Sequence, residues 1–119
     1  MFAEAALPPR SPGPPLHVHT REDEAVYVID GVLTVRVGER TFEAGPQTLV
    51  WLPRGEPHAF ANLSAEPVRA FGLATPAGLE GMFSEQADYS AGLVGAADPA
   101  ALTAIATRYG VTVLGPGLS

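Results

Sequence analysis

Between Leu16 and Thr75 the chain is a series of short apolar runs separated by turn-forming residues. Ala25–Ile29 leads into Asp30-Gly31, a dipeptide that favours a two-residue hairpin. Val32–Val37 alternates, with Leu33, Val35 and Val37 on one face and Val32, Thr34 and Arg36 on the other. Gly38-Glu39 turns the chain into Arg40–Glu43, Gly45-Pro46 breaks the pattern, and Leu49–Leu52 forms another short strand. Pro53-Arg54-Gly55 makes a loop, and His58–Ala61 and Val68–Thr75 complete the series, separated by Asn62–Pro67. Strands of this length at this spacing predict an all-β antiparallel sandwich or barrel.

The flanks behave differently. The N-terminal arm carries Pro8, Pro9, Pro12, Gly13, Pro14 and Pro15, which suits an extended connection and excludes a helix interior. After Pro76 the period becomes helical. Leu79, Met82, Phe83 and Gln86 predict one short helix over Pro76–Ala87. Asp98-Pro99 reads as an N-cap followed by proline at the first helical position, with Leu102, Ile105, Ala106 and Tyr109 on one face and Gly110 at the end. Ser90–Ala97 links the two helices, and Val111–Leu114 either rejoins the sheet or packs as an extended tail. One domain over 1–119 is expected, with a barrel over about 14–75 and a helical tail over about 76–119.

Composition narrows the chemistry. The 119 residues carry a formal charge of −6, which argues against a nucleic-acid partner or an anionic membrane surface. All 7 basic residues are arginine, so a lysine Schiff base is excluded. The absence of cysteine removes disulfides, thiolate nucleophiles and iron–sulfur clusters. No signal-peptide pattern and no apolar run of about 18 residues is present, so a cytoplasmic location is expected. There is no phosphate-binding glycine loop.

The 3 histidines carry most of the information. His17 and His19 are two apart and share a face of any extended segment. Glu24 follows at the start of the next strand, and His58 lies just beyond the Pro53-Arg54-Gly55 loop. Imidazole and carboxylate together suit a divalent iron, manganese, cobalt, nickel, copper or zinc ion. Three imidazoles and one carboxylate would leave two octahedral positions open for water, oxygen or substrate. Taken singly, each residue also has an ordinary reading: a chance histidine pair, a solvated acid in the run Glu22-Asp23-Glu24, and a turn histidine. A Ser/His/Asp triad would have to borrow one of these histidines.

The frame around them resembles the two conserved motifs of the cupin superfamily. His17-Val18-His19-Thr20-Arg21-Glu22-Asp23-Glu24, six further residues and Gly31 are similar to the first. Pro53-Arg54-Gly55-Glu56-Pro57-His58-Ala59-Phe60-Ala61-Asn62 is similar to the second. The resemblance covers roughly Gly13 to Thr75 and is nearest to small single-domain cupins of the quercetin-dioxygenase-like type. It implies a double-stranded β-helix, or jelly-roll barrel, with a short helical C-terminal extension. It assigns His17, His19, Glu24 and His58 as ligands of one divalent transition metal. Where the family's first motif carries glycine six residues before its first histidine, Gly13 stands four before, and Gln47-Thr48 replaces the usual Gly-Asp pair. The short lead-in implies that an N-terminal strand is absent or reduced.

With Glu24 inward, a period of two turns Val26 and Val28 inward, and His58 takes Phe60 with it. These three are the expected substrate-binding residues, or else they fill a narrow barrel. Tyr27 and Ile29 then face outward, to be covered by a helix or by a second copy in a homodimer. Trp51 is expected in the core, and Glu22, Asp23 and Glu56 on the surface. The expected function is a metal-dependent, dioxygenase-like enzyme acting on a small, largely apolar or aromatic molecule. The alternatives are a non-redox isomerase, cyclase or lyase, and a non-catalytic small-molecule binder.

Overall fold

A computed structural model describes residues 1–119. The elements run β1 (Phe2–Leu7), β2 (Leu16–His19), β3 (Asp23–Asp30), β4 (Leu33–Val37), β5 (Arg40–Ala44), β6 (Leu49–Leu52), β7 (His58–Ala61), β8 (Val68–Thr75), α1 (Leu79–Ala91), α2 (Pro99–Arg108) and β9 (Val111–Gly115). The strands form two antiparallel sheets, ordered β1-β8-β3-β6 and β5-β4-β7-β2-β9. Val28, Val50, Leu52 and Val68 of the first sheet pack against Leu33, Val35 and Ala44 of the second. The sheets therefore lie face to face around an aliphatic core, as the alternation in β4 anticipates. No helix is long and apolar enough to cross a membrane.

Local turn chemistry is legible in the sequence, but strand partnership is not. Gly38-Glu39 closes the two-residue hairpin between Val37 and Arg40, with Gly38 at φ 60° in the first central position. Asp30-Gly31 does not make a hairpin. β3 and β4 lie in different sheets, and Gly31, at φ 85°, carries the chain between them. A Cβ there would stand 2.4 Å from the Pro67 carbonyl oxygen, so glycine serves both the backbone angle and the close approach. A turn dipeptide sets where the backbone bends, and tertiary packing chooses the partner.

The expected loss of an N-terminal strand is corrected. Phe2–Leu7 forms edge strand β1, antiparallel to β8 from Phe2 opposite Leu73 to Leu7 opposite Val68. All of it is exposed except the half-buried Leu7, so no amphipathic alternation marks it. The proline-rich segment behind it is held by Asn62, which is fully buried. Asn62 Nδ2 donates to the carbonyls of Leu7, Pro8 and Glu66 at 3.1, 2.9 and 2.7 Å. Its Oδ1 accepts from the backbone and hydroxyl of Ser64.

Val111–Gly115 rejoins the sheet as β9, paired with β2. Asp98 caps α2 by accepting from the Ala100 amide at 3.0 Å, with Pro99 in the first turn. The first helix begins and ends slightly later than its apolar spacing suggests. Trp51 is not in the core: it is 53% exposed on the outer face of the four-stranded sheet. Register places Phe2, Leu73, Ala25 and Trp51 in one row across that face, and Phe71, Tyr27 and Leu49 in the next. No helix covers it, because α1 and α2 pack instead against Ala74 and Val111.

Candidate metal centre

The two histidines of β2 project to the same side because they are two apart, and the barrel interior lies on that side. His17 and His19 are buried, and His17 pairs directly with His58 on β7. The rings sit with centroids 4.4, 4.9 and 5.3 Å apart. Glu24 reaches them from the facing sheet. Its Oε2 lies 3.1 Å from His19 Nε2 and 3.0 Å from His58 Nε2. One ligand atom from each of His17, His19, Glu24 and His58 falls within 4.8 Å of every other. All four residues predicted as ligands are thus brought together.

Hydrogen bonding behind the rings decides which nitrogen faces inward. His17 Nδ1–H donates to the Pro15 carbonyl at 2.7 Å, and His58 Nδ1 faces the Glu56 carbonyl at 3.4 Å. His19 Nδ1 faces Glu22 Oε1 at 3.3 Å. Each outer partner is purely an acceptor, so each ring keeps its hydrogen on Nδ1 and turns the Nε2 lone pair inward. Two such lone pairs then confront a carboxylate oxygen at about 3 Å, an arrangement that a cation between them would satisfy. Ligands at right angles on an ion with bonds of about 2.1 Å also stand about 3 Å apart. The residues present fit a divalent transition metal.

Burial sets the protonation of His17. Removal from water holds the His17 imidazole at about 4, well below its ordinary 6.5, even though the Pro15 carbonyl favours the charged ring. Burial also acts to raise the Glu24 carboxyl. Without an ion between them, a proton shared with His58 Nε2 and the charges that His19, His58 and His17 carry when protonated outweigh burial and hold that carboxyl below its usual value. A neutral imidazole and an ionised carboxylate are the forms that bind metal.

Glu22, expected on the surface, is instead 4% exposed and backs His19. The sequence hint is its position three residues after His19, hidden within a run of acids. The turn that carries it is pinned by Thr20, which donates to the Gly110 carbonyl, and by Arg21, which donates to the Arg108 carbonyl at the end of α2. The second motif is tied to the first through Gly55 N donating to His19 O and Arg54 N donating to Asp23 Oδ1. Glu56 is exposed, and the group it turns toward His58 is its carbonyl.

The helical tail closes the barrel beside this cluster. Ala74 is the cross-strand neighbour of Glu24, and Val111 that of His19. Both are buried with Leu79, Met82, Ile105 and Ala106 of the helices. Of the expected substrate contacts, Val28 is wholly buried in the barrel core, whereas Val26 and Phe60 pack at its margin with partial exposure.

Comparison with known proteins agrees with this architecture. The chain is similar to protein TT1209 of Thermus thermophilus, with 33% identity over 61% of this chain and 69% of that one, at a TM-score of 0.58. It is similar to the polyketide cyclase RemF of Streptomyces resistomycificus, with 27% identity over 64% and 56% of the two chains, at a TM-score of 0.54. A predicted oxalate decarboxylase of Thermotoga maritima shares the fold at 23% identity over 62% and 64%, with a TM-score of 0.59. The match therefore spans less than two thirds of the last two proteins' length. No curated protein matches the chain. The family model described as a cupin domain matches residues 3–74, the barrel strands that carry all four candidate ligands. The chain belongs to the cupin superfamily.

Proposed function

We propose that this cupin is a metal-dependent enzyme acting on a small, largely apolar or aromatic molecule, with His17, His19, Glu24 and His58 holding one divalent transition metal. The observation that carries the reading is the convergence of one ligand atom from each of His17, His19, Glu24 and His58 to within 4.8 Å of one another, each ring backed by an acceptor. Bound there, the metal would supply either redox chemistry toward oxygen or Lewis acidity toward a substrate oxygen. The chain's own residues bind the ion, set the rings and keep the surroundings apolar: Val26, Phe60 and the helix-backed wall at Ala74 and Val111 border the cluster.

The first reading of the chemistry is dioxygenase-like, from the two coordination positions that four protein ligands leave open. The likeness to a polyketide cyclase favours a second reading, non-redox ring closure or isomerisation. Metal-stripped protein reloaded in turn with iron, manganese, nickel, copper, cobalt and zinc should bind one ion per chain. His58→Ala and Glu24→Ala should each lower both metal content and melting temperature. Unchanged stoichiometry in both variants would refute the ligand assignment. Oxygen uptake with catechols and flavonols supports the first chemistry, and anaerobic turnover supports the second.

For assembly, we propose a homodimer through the outer face of the four-stranded sheet. Phe2, Leu49, Trp51 and Leu73 are 67, 64, 53 and 43% exposed there, and Tyr27 is 38% exposed. Together they leave on the order of 500 Å² of apolar surface open, near the upper end for a monomer and over half of one partner's share in a standard interface. A face repeated on both copies is self-complementary under two-fold symmetry.

A further inference from the structure

The two sheets part at one side, where edge strands β5 and β6 face each other without a ladder partner. A cavity of about 270 Å³ opens there. Val37, Phe42 and Val50 line it from the barrel interior, Leu49 and Trp51, which also belong to the proposed dimer face, lie along its β6 side, and Arg40 stands at its β5 side. Arg40 pairs with Val37, Val37 with His58, and His58 with His17, so one inward-facing row joins the arginine to two of the metal-centre histidines. Two strand spacings separate Arg40 from His58, about 10 Å.

The Arg40 side chain also has no partner within the protein. The chain has 13 acidic residues against 7 arginines. Arg54, Arg69 and Arg108 each hold a carboxylate, whereas the Arg40 side chain, like that of Arg10 in the distant proline-rich arm, has no acidic partner and no hydrogen bond to the protein. An exposed guanidinium beside an apolar cavity, with its donors free, matches a ligand that has an apolar body and a planar oxyanion. The volume is just under the ordinary range for small-molecule pockets and suits a single-ring compound.

We propose that the β5–β6 cleft receives the substrate of the metal centre and that Arg40 binds its carboxylate, making the substrate class a small aromatic or apolar carboxylic acid. This rests on the metal-centre function above and deepens it. The test uses trans-cinnamate and its uncharged analogue cinnamyl alcohol as probes, titrated by proton NMR into metal-free and manganese(II)-loaded protein. Cinnamate should bind wild type saturably in both forms and bind Arg40→Gln about tenfold more weakly, while Arg40→Lys recovers part of the loss. Cinnamyl alcohol should bind both chains alike. Ring protons of bound cinnamate should broaden in the manganese form. Equal cinnamate affinity for wild type and Arg40→Gln, or no saturable binding to wild type, would overturn the carboxylate assignment. Arg40-dependent binding without broadening would overturn the link to the metal centre. Failure of wild type to take up manganese would instead defeat the underlying metal reading, while the metal-free titration still decides the role of Arg40.

Discussion

Acidifying the metal-free protein should unfold it through His17. The unfolded ring takes up a proton near its ordinary 6.5, but the folded ring, 9% exposed, resists until about 4. Above 6.5 both states are neutral and His17 contributes no pH dependence. As pH falls through 6.5 the unfolded chain binds a proton that the folded chain refuses, so stability drops until about pH 4, where the folded ring is also protonated. At about 1.4 kcal/mol per pH unit across that window, the loss is about 3 kcal/mol. Glu24 acts in the same direction lower down: its depressed carboxyl stabilises the fold above the ordinary carboxylate range and loses that contribution as pH falls below it. Chelator-dialysed protein unfolded in urea at pH 7.0, 5.5 and 4.5 should show most of this decline, with melting temperature falling by on the order of 10 °C. A His17→Asn variant should give a flatter profile between pH 6.5 and 4.5. A wild-type profile that is level over that range, or a variant as steep as wild type, would show that the ring is not held neutral by burial.

Glu22→Gln removes the charge behind His19 and leaves all four ligands in place, so metal affinity should fall roughly 10- to 100-fold in a chelator competition; unchanged affinity would deny Glu22 its bracing role. Asn62→Ala strips the donor from three backbone carbonyls that fix the proline-rich arm and should cost about 2–3 kcal/mol in urea unfolding. A loss below about 0.5 kcal/mol would mean that water replaces those contacts. Leu73→Asp, in the middle of the outer apolar face, should convert a dimer to a monomer in sedimentation at micromolar concentration with metal content intact. A wild type already monomeric would remove the dimer.

The candidate ligand set is legible in the sequence mainly through the resemblance of its two motifs to those of the cupin superfamily. Two residues apart on a strand means one face, as His17 and His19 show, and the Pro-x-Gly-x-x-His frame marks His58 as a site residue. The N-cap at Asp98 and the Gly38 hairpin are likewise legible, since each depends on backbone angles within a few residues. Glu22 escapes such a reading because one acid among three adjacent acids looks solvated until the loop beneath it is pinned from α2, nearly ninety positions away. Trp51 escapes it because its parity puts it on a sheet face whose covering depends on where the helices pack.

Local pattern in the chain thus fixed the strand segments between Leu16 and Thr75 and the shared face of His17 and His19. The motif resemblance added the four candidate ligands and the chemistry they could support. Tertiary structure alone decided that Asp30-Gly31 crosses between sheets, that Phe2–Leu7 is an edge strand, that Glu22 is buried behind His19 and that Arg40 stands in one row with the metal-centre histidines. The physical reason is range. Side-chain alternation and turn angles are set by covalent geometry over a few bonds, whereas sheet partnership and burial are set by packing between segments tens of residues apart.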